Sequence, residues 1–312
     1  MKRIIDFHTQ LGDCFDSNKN IVFKKPVKLD SYPNPILAFA ESKFQSPLDI
    51  SSTEAKNELA DAMHNRVMEK GSLECASSEM DRNGITYFVS LNNHPNTTFE
   101  GTLAASTLEP RIIPFTSIDY GIDPWEIRDM LEADIARGAK GLYIHPQLQG
   151  IRFANAKSRA AIEVFDRAGL PVVLHFGKND CYYREDSGHI QKTYGEYGSV
   201  SFIEDIVSKY PECKFVLVHS AMNTGKELDS LMDCAKSNNW ENVFISTSYK
   251  SAETIKKLVD CFGADRILFG SDFPFCDVSY ALEECEKAFE GDEESLEKVL
   301  FKNAVALTHL YE

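Results

Sequence analysis

The chain has 312 residues, of which 43% are hydrophobic and 26% are charged, a composition typical of globular proteins. Its 48 acidic and 33 basic residues give a net charge of −15, which argues against a nucleic-acid or anionic-membrane binder, because both need a positive surface. No apolar run approaches the roughly 20 residues of a membrane span. We therefore predict a small-molecule substrate, with no nucleic-acid and no membrane partner.

The N-terminus and the cysteines predict a cytoplasmic location. The chain enters a predicted strand at residues 3–7, without the apolar stretch of a signal peptide. The eight cysteines are scattered and form no Cys-x-x-Cys pair, so we interpret them as reduced thiols.

The first predicted strand ends at His8, and an irregular segment with four prolines follows it over residues 11–52. This segment is too long for an ordinary connection, and loops of that length are usually functional or disordered. We interpret it as a cap over the site, with a short helix near residues 36–44. A helix capped by Thr53 should then cover residues 53–70, and a second should cover 72–82.

Strands and helices alternate from there to the C-terminus. The predicted strands are 85–91, 111–118, 139–145, 171–175, 214–219, 243–246 and 266–269. The predicted helices are 98–108, 124–137, 157–168, 200–209, 225–238 and 252–262, with further helices over 280–310.

Eight strands that are each followed by a helix imply parallel strands joined by crossover helices. We therefore predict a single α/β domain over residues 1–312, folded as a (β/α)8 TIM-like barrel with a cap insertion after its first strand. The alternative, an open doubly wound sheet, needs a glycine-rich phosphate turn after its first strand. The sequence there, His8-Thr9-Gln10-Leu11-Gly12, is not such a turn.

Four predicted strands end on residues that can bind a metal: His8, His175, His219 and Asp272. In a barrel of this type, the carboxyl ends of the strands line the active site. Imidazole nitrogens and carboxylate oxygens are ligands for zinc, which can lower the pKa of a bound water to roughly 7. A single strand-end histidine is more often structural, but four such residues at equivalent positions indicate one shared site.

Substrate-binding candidates lie near the predicted fourth and fifth strands. His145 ends the fourth strand, although a His-Pro turn can be purely structural, and Tyr143 and Arg152 lie close to it in sequence. The polar loop 177–198 contains Lys178 and Arg184, which can bind a carboxylate, arginine in bidentate fashion. An ordinary solvated loop is the alternative. Together these residues suggest a small carboxylated or aromatic substrate.

Several short segments, in this order, carry a resemblance to a known family: Ile4-Ile5-Asp6-Phe7-His8, Gly138-Ala139-Lys140-Gly141-Leu142 with His145-Pro146, Leu174-His175, Val218-His219 and Phe269-Gly270-Ser271-Asp272-Phe273-Pro274. The chain resembles the amidohydrolase-related family, in the branch that includes the aminocarboxymuconate-semialdehyde and γ-resorcylate decarboxylases and the pyrone-dicarboxylate lactonase. The resemblance implies a deformed (β/α)8 barrel of the metal-dependent-hydrolase type, a homodimer and one divalent metal. It implies that His175 and Asp272 bind the metal together with the histidines of the first strand, and that His219 acts as acid/base or polarises the substrate.

The chain departs from the family pattern at Gln10. The first strand of the family normally ends His-x-His, whereas this chain has His8-Thr9-Gln10. An amide oxygen is a poorer zinc ligand than an imidazole nitrogen, so metal affinity should fall. Three outcomes follow: a weaker metal site, a metal-independent hydrolase, or a barrel that has lost the chemistry.

These observations predict an enzyme, a metal-assisted hydrolase of an amide, ester or lactone bond. One divalent ion, with zinc expected, would be held by His8, Gln10, His175 and Asp272. His219 would polarise the scissile carbonyl, and Asp272 would take the proton of the attacking water. The alternatives are a non-oxidative decarboxylase of an aromatic or unsaturated acid, and a catalytically silent barrel that binds a small molecule.

Overall fold

Eight parallel strand positions form the centre of the computed structural model, which describes residues 2–16, 21–25, 52–177, 182–186, 195–219 and 225–311. Nine strand segments fill these positions: β1 (Ile5–Thr9), β2 (Tyr87–Ser90), β3 (Ile112–Pro114), β4 (Thr116–Ser117), β5 (Leu142–Ile144), β6 (Val172–His175), β7 (Phe215–Val218), β8 (Val243–Ser246) and β9 (Ile267–Leu268).

The predicted third strand, over residues 111–118, is divided into β3 and β4. β3 pairs with β2, and β4 pairs with β5, so the chain changes its partner strand within this segment. Pro114 has no N–H group and cannot donate to a ladder there. The N–H of Thr116 then donates to the carbonyl of Gly141 at 3.0 Å. The two segments therefore fill one strand position between β2 and β5.

The first and last strands are joined by backbone hydrogen bonds. The N–H of Phe7 donates to the carbonyl of Phe269 at 2.8 Å, and the N–H of Gln10 donates to the carbonyl of Phe273 at 2.7 Å. Thr9 also pairs in parallel with Phe273. Since β1 to β3 and β4 to β9 form two parallel sheets linked in this way, the α/β barrel predicted from the sequence is confirmed.

Helices follow the strands as predicted. They are α1 (Thr53–Lys70), α2 (Leu73–Asn83), α3 (Phe99–Leu108), α4 (Pro124–Ala136), α5 (Pro146–Gln149), α6 (Ala156–Ala168), α7 (Val200–Lys209), α8 (Gly225–Ser237), α9 (Ala252–Phe262), α10 (Val278–Ala288), α11 (Glu293–Glu297) and α12 (Asn303–Thr308), with a π-helical turn at Lys298–Lys302 between the last two. The predicted cap residue of α1 was wrong by one position. The side chain of Ser52, rather than that of Thr53, accepts the N–H of Ala55 at 3.1 Å.

Two hydrophobic layers hold the barrel together. Alternation along β6 places Val173 inside the barrel, whereas Val172 and Leu174 pack outward against the helices. The inner layer comes from most of the strands and from the C-terminal helical region: Ile5, Phe7, Val89, Leu91, Ile113, Phe115, Tyr143, Val173, Val216, Val218, Leu268, Phe301, Ala304 and Leu307. The barrel interior is therefore a packed core with room for chemistry only at its ends.

The predicted cap segment, residues 11–52, lies largely outside the described residues, as does the helix predicted near residues 36–44. Its described part includes a short 3-10 turn, Ile21–Phe23, in which Ile21 and Val22 are buried. No helix among the described residues combines the length and the apolar character that crossing a lipid bilayer requires.

Candidate active site

The structure brings the four strand-end residues together. Nε2 of His8 lies 3.1 Å from Oδ1 of Asp272, and Nε2 of His219 lies 3.4 Å from Oδ2 of the same carboxyl group. The ring centroids of His175 and His219 are 4.5 Å apart. All four residues are at most 5% exposed. One carboxyl group therefore stands between two imidazoles, with a third imidazole beside them.

Three residues of this end of the barrel have left-handed backbones. The φ angles of His219, Tyr249 and Asp272 are 66°, 56° and 66°. Such a conformation costs a residue with a side chain roughly 1–2 kcal/mol, and strained residues cluster at functional sites. The N–H of Asp272 donates to the carbonyl of His8 at 2.8 Å, which holds this turn against β1.

Serine side chains orient the imidazole of His8. Nδ1 of His8 lies 2.6 Å from Oγ of Ser248, which lies 2.6 Å from Oγ of Ser246. A serine hydroxyl can accept one hydrogen bond while it donates another. Ser248 can thus accept the hydrogen bond from Nδ1–H of His8 and donate its own proton to Ser246. In that arrangement the lone pair on Nε2 of His8 faces Asp272.

The tautomer of His175 follows from its partner Gln147. The amide nitrogen of Gln147 donates to the carbonyl of Gly177 at 2.5 Å, so its Oε1 is the atom 3.1 Å from Nδ1 of His175. Because Oε1 only accepts, Nδ1 carries the proton and Nε2 keeps its lone pair. The hydroxyl of Tyr182 lies 3.2 Å from that Nε2 and donates to it.

His145 has the opposite tautomer. Its Nδ1 accepts the backbone N–H of Leu148 at 3.3 Å, so the neutral ring carries its proton on Nε2. The ring stacks on that of His175 with 3.8 Å between centroids, and the ring of Tyr143 lies 5.9 Å away. His145 therefore presents a hydrogen-bond donor, not a lone pair, through Nε2.

The donor set fits a divalent cation. Nε2 of His8 and Oδ1 of Asp272 are both buried and have no hydrogen-bond partner among the described residues, and the same holds for Oε1 of Gln10. Two electron-pair donors that face each other at 3.1 Å need a proton or a metal between them. Potential ligand atoms of His8, His219 and Asp272 all lie within 4.8 Å of one another. Two imidazoles and a carboxylate are ligands that zinc accepts.

Burial keeps the imidazoles neutral. It lowers the pKa of His8, His145 and His219 well below the ordinary value, and it lowers the pKa of His175 to about 3. Burial, with a smaller effect from nearby Asp6, raises the pKa of Asp272 well above its ordinary value. Neutral imidazoles are the form that binds a metal.

Two further ionisable residues are buried beside the cluster. Oδ1 of Asp6 accepts the N–H groups of His8 and Ser271 at 3.2 and 2.9 Å, and burial raises the pKa of Asp6 to about 7. Nζ of Lys250 donates to the carbonyl of His219 at 2.6 Å, and burial lowers the pKa of Lys250 to about 7.

The predicted substrate-binding residues separate into two groups. Tyr143 and His145 are buried beside the cluster, whereas Arg152 and Arg184 are exposed. The guanidinium of Arg184 pairs with Asp61 at 2.5 Å and with Asp186 at 2.8 Å, so two carboxylates of the chain itself already bind it. The guanidinium of Arg152 lies over the rings of Tyr197 and Phe202. Lys178 lies outside the described residues.

Four residues of the site were not predicted from the sequence: Gln147, Ser248, Tyr249 and Lys250. The last three follow β8 directly, so the strand-end rule that identified the histidines would have found them if it had been applied to serine, tyrosine and lysine. Gln147 lies in α5, and nothing in the sequence signals its contact with His175.

A family model described as amidohydrolase matches residues 5–310. A search of the sequence against curated proteins gave no match.

Three similar solved structures share the fold. An uncharacterised TIM-barrel protein from Bordetella bronchiseptica is 18% identical with a TM-score of 0.67, and 98% of each chain is covered. The 5-carboxyvanillate decarboxylase of Sphingomonas paucimobilis is 15% identical with a TM-score of 0.66 and 99% of each chain covered.

The third structure is a probable 2-pyrone-4,6-dicarboxylic acid hydrolase from Acinetobacter baumannii with citric acid bound. It is 12% identical with a TM-score of 0.58, and the alignment covers 98% of this chain and 99% of that one. At these identities the solved structures establish the fold alone. The family match extends over nearly the whole chain, from β1 to the C-terminal helices, and includes every strand that contributes to the cluster. The chain therefore belongs to the amidohydrolase family of enzymes.

Proposed function

We propose that the protein is a metal-assisted hydrolase of a small carboxylated molecule with an amide, ester or lactone bond. The observation that carries this proposal is the position of Asp272, whose two oxygens face His8 at 3.1 Å and His219 at 3.4 Å. A single carboxyl group can thus bind an ion through one oxygen and handle a proton through the other.

His8 and Asp272 would supply the facing metal donors, and zinc is the expected ion. For the third donor we favour His175, because Gln147 fixes its tautomer with the lone pair on Nε2, an arrangement typical of metal-binding histidines. An ion there would replace the hydrogen bond that the hydroxyl of Tyr182 donates to this Nε2. Nδ1 of His219 has no partner among the described residues, and its Nε2 faces Oδ2 of Asp272 at 3.4 Å, so no acceptor comparable to Gln147 holds a proton on Nδ1 of that ring. When bound, a divalent ion polarises a substrate carbonyl and acidifies water.

The remaining residues would handle protons and orient the substrate. Oδ2 of Asp272 would accept the proton of the attacking water, with His219 beside it to polarise the carbonyl or to pass the proton to the leaving group. His145 would donate a hydrogen bond through Nε2–H. Burial of these groups excludes bulk water and strengthens their electrostatic effect on the substrate.

Non-oxidative decarboxylation of an aromatic or unsaturated acid is the second candidate. It is favoured by the similarity to 5-carboxyvanillate decarboxylase and to the 2,6-dihydroxybenzoate decarboxylase of Rhizobium, which is 17% identical with a TM-score of 0.64 and full coverage of both chains. The same residues would hold the ion to which the carboxylate of the acid binds. A proton would then take the place of the departing carbon dioxide on the carbon atom.

The test combines metal analysis with product analysis. About one zinc or manganese per chain, measured without chelators or a histidine tag, would support a metal-assisted reaction. Carboxylated lactones, amides and aromatic acids would then be screened. We expect products in which water has been added across the amide, ester or lactone bond. Release of carbon dioxide would instead show that the protein is a decarboxylase.

The roles of the two histidines are tested separately. His175→Ala should lose the metal, and His219→Ala should retain the metal but lose turnover. If His219→Ala loses the metal and His175→Ala retains it, His219 is the third ligand. This outcome would agree with the ligand atoms of His8, His219 and Asp272, which lie within 4.8 Å of one another.

A further inference from the structure

The segment after β8 contacts the cluster through three consecutive side chains. Oγ of Ser248 lies 2.6 Å from Nδ1 of His8, and the ring of Tyr249 stacks on that of His219 with 5.4 Å between centroids. Nζ of Lys250 donates to the carbonyl oxygen of His219 at 2.6 Å. This segment therefore forms one wall of the site, and it places a lysine there.

Lys250 is buried without a counter-ion. The residue is 5% exposed, and among the residues that the structure describes no carboxylate oxygen lies within 4.0 Å of its Nζ. Exposed lysines elsewhere, such as Lys257 and Lys302, do pair with glutamates. Burying a charged group is costly unless it is paired, so a charged Lys250 lacks the partner that its burial calls for.

Asp272, the carboxyl group of the cluster, does not supply that pairing. The oxygens of Asp272 lie beside His8 and His219, and no ion pair joins that carboxyl group to Lys250. An ammonium group has three N–H donors, and the carbonyl of His219 is the one acceptor for them in the described part of the chain. Two donors remain for an acceptor that enters the site.

We propose that Lys250 is a specificity residue that binds a carboxylate group of the substrate. The inference deepens the proposed function and rests on it, since it takes the end of the barrel around Asp272 as the substrate site. A bound carboxylate supplies both the missing counter-charge and the missing hydrogen-bond acceptors. The same site would discriminate against a neutral analogue, which would leave the lysine unpaired.

The experiment compares benzoate with benzamide, two probes of nearly equal shape that differ in charge. Binding to the metal-loaded protein is measured by isothermal titration calorimetry, in wild type and in Lys250→Gln, Lys250→Met and Lys250→Arg. We expect wild type to bind benzoate at least tenfold more tightly than benzamide. Lys250→Gln and Lys250→Met should lose this discrimination, and Lys250→Arg should keep most of it.

The glutamine variant separates recognition from a structural role. A glutamine amide can still donate to the carbonyl of His219, so a lysine that only supports this turn would be replaced without loss of discrimination. Unchanged discrimination in Lys250→Gln would therefore overturn the inference, as would equal or absent binding of both probes to wild type. Lys257→Gln removes the same charge from an exposed, paired position and should leave the discrimination unchanged.

The binding assay also separates this inference from the proposed function. Charge discrimination that depends on Lys250 in a protein without turnover would refute the proposed reaction and leave the carboxylate site standing. Turnover of a substrate, together with charge discrimination that does not depend on Lys250, would support the proposed reaction and refute the carboxylate site. Thermal melting of every variant identifies any that fails to fold, and Lys250→Arg then provides the deciding comparison.

Discussion

Gln147 and His175 form a pair in which one side chain determines the protonation of the other. Oε1 of Gln147 is 3.1 Å from Nδ1 of His175, while the amide nitrogen of the same side chain donates to Gly177. Because both ends of the amide are engaged, it cannot flip without losing a hydrogen bond. The lone pair on Nε2 of His175 is therefore a consequence of a residue 28 positions earlier in the chain.

Replacing Gln147 by leucine should weaken metal binding. The variant leaves Nδ1 of His175 without an acceptor, and loss of such a partner typically costs about 10- to 100-fold in metal affinity. Gln147→Glu keeps an acceptor for Nδ1–H but loses the donor to the carbonyl of Gly177, so its metal affinity should lie between those of Gln147→Leu and wild type. Competition with a chelating dye measures both, and nitrogen NMR of the imidazole reports the tautomer. Equal affinity in Gln147→Leu and wild type would show that His175 does not bind the metal.

Gln10→His should tighten metal binding at least tenfold. Oε1 of Gln10 is buried and has no hydrogen-bond partner in the part of the chain that the structure describes. An imidazole nitrogen is a better zinc ligand than an amide oxygen. The metal content of wild type and variant, measured after dialysis against a weak chelator, checks this. Thr107→His, which adds a histidine at an exposed position of α3, is the control and should bind no additional metal. An unaltered affinity in Gln10→His would place residue 10 out of reach of the ion.

The same glycine-to-alanine change should have opposite effects at two positions. A methyl group on Gly270 would lie 2.3 Å from Oγ of Ser246 and 2.8 Å from Cβ of His8, so Gly270→Ala should cost about 1–3 kcal/mol and displace the site. At Gly101, within α3, the nearest atom would be 3.8 Å away, so Gly101→Ala should stabilise the protein by about 0.5–1 kcal/mol. Urea denaturation measures both. Activity should fall only in Gly270→Ala, and equal effects would mean that the site tolerates the added methyl group.

His145 should make the metal-free protein sensitive to acid. Burial holds the pKa of its imidazole well below 6.5, so below that pH the unfolded chain binds a proton that the folded protein does not. Stability is therefore lost as the pH falls through 6.5, by up to about 1.4 kcal/mol per pH unit for one such proton. Glutamine does not titrate, so the stability of His145→Gln should fall less steeply between pH 6.5 and 5, with parallel curves above pH 7.5. If the two curves of stability against pH stay parallel from pH 5 to above pH 7.5, His145 has the same pKa in the folded and the unfolded protein.

Most of the architecture could be predicted from the sequence because parallel barrel strands have a strong local signal. Runs such as Phe215–Val218 are continuously apolar and end in polar residues, and the helices between them begin at cap residues such as Ser72 and Asp123. The convergence of His8, His175, His219 and Asp272 followed from the same strand ends, because all parallel strands of a barrel deliver their last residues to one end.

The orientation of side chains could not be predicted in this way. Arg184 is bound by Asp61, which lies 123 positions earlier, and no local pattern reveals such a pair. The division of the third strand at Pro114 depends on which neighbour each residue meets across the barrel. The left-handed backbone of His219 likewise depends on its surroundings, since the sequence there shows only an apolar run that ends in histidine.

The hydrogen bond from Ser271 to Asp6 joins residues that are 265 positions apart. Both ends of the chain are therefore needed before His8 and Asp272 can face each other. During synthesis, a ribosome-bound chain that lacks its last strand has the three histidines but not the carboxyl group between them. The proposed metal should therefore bind only after the C-terminal segment has emerged, so metal uptake would report the completion of folding.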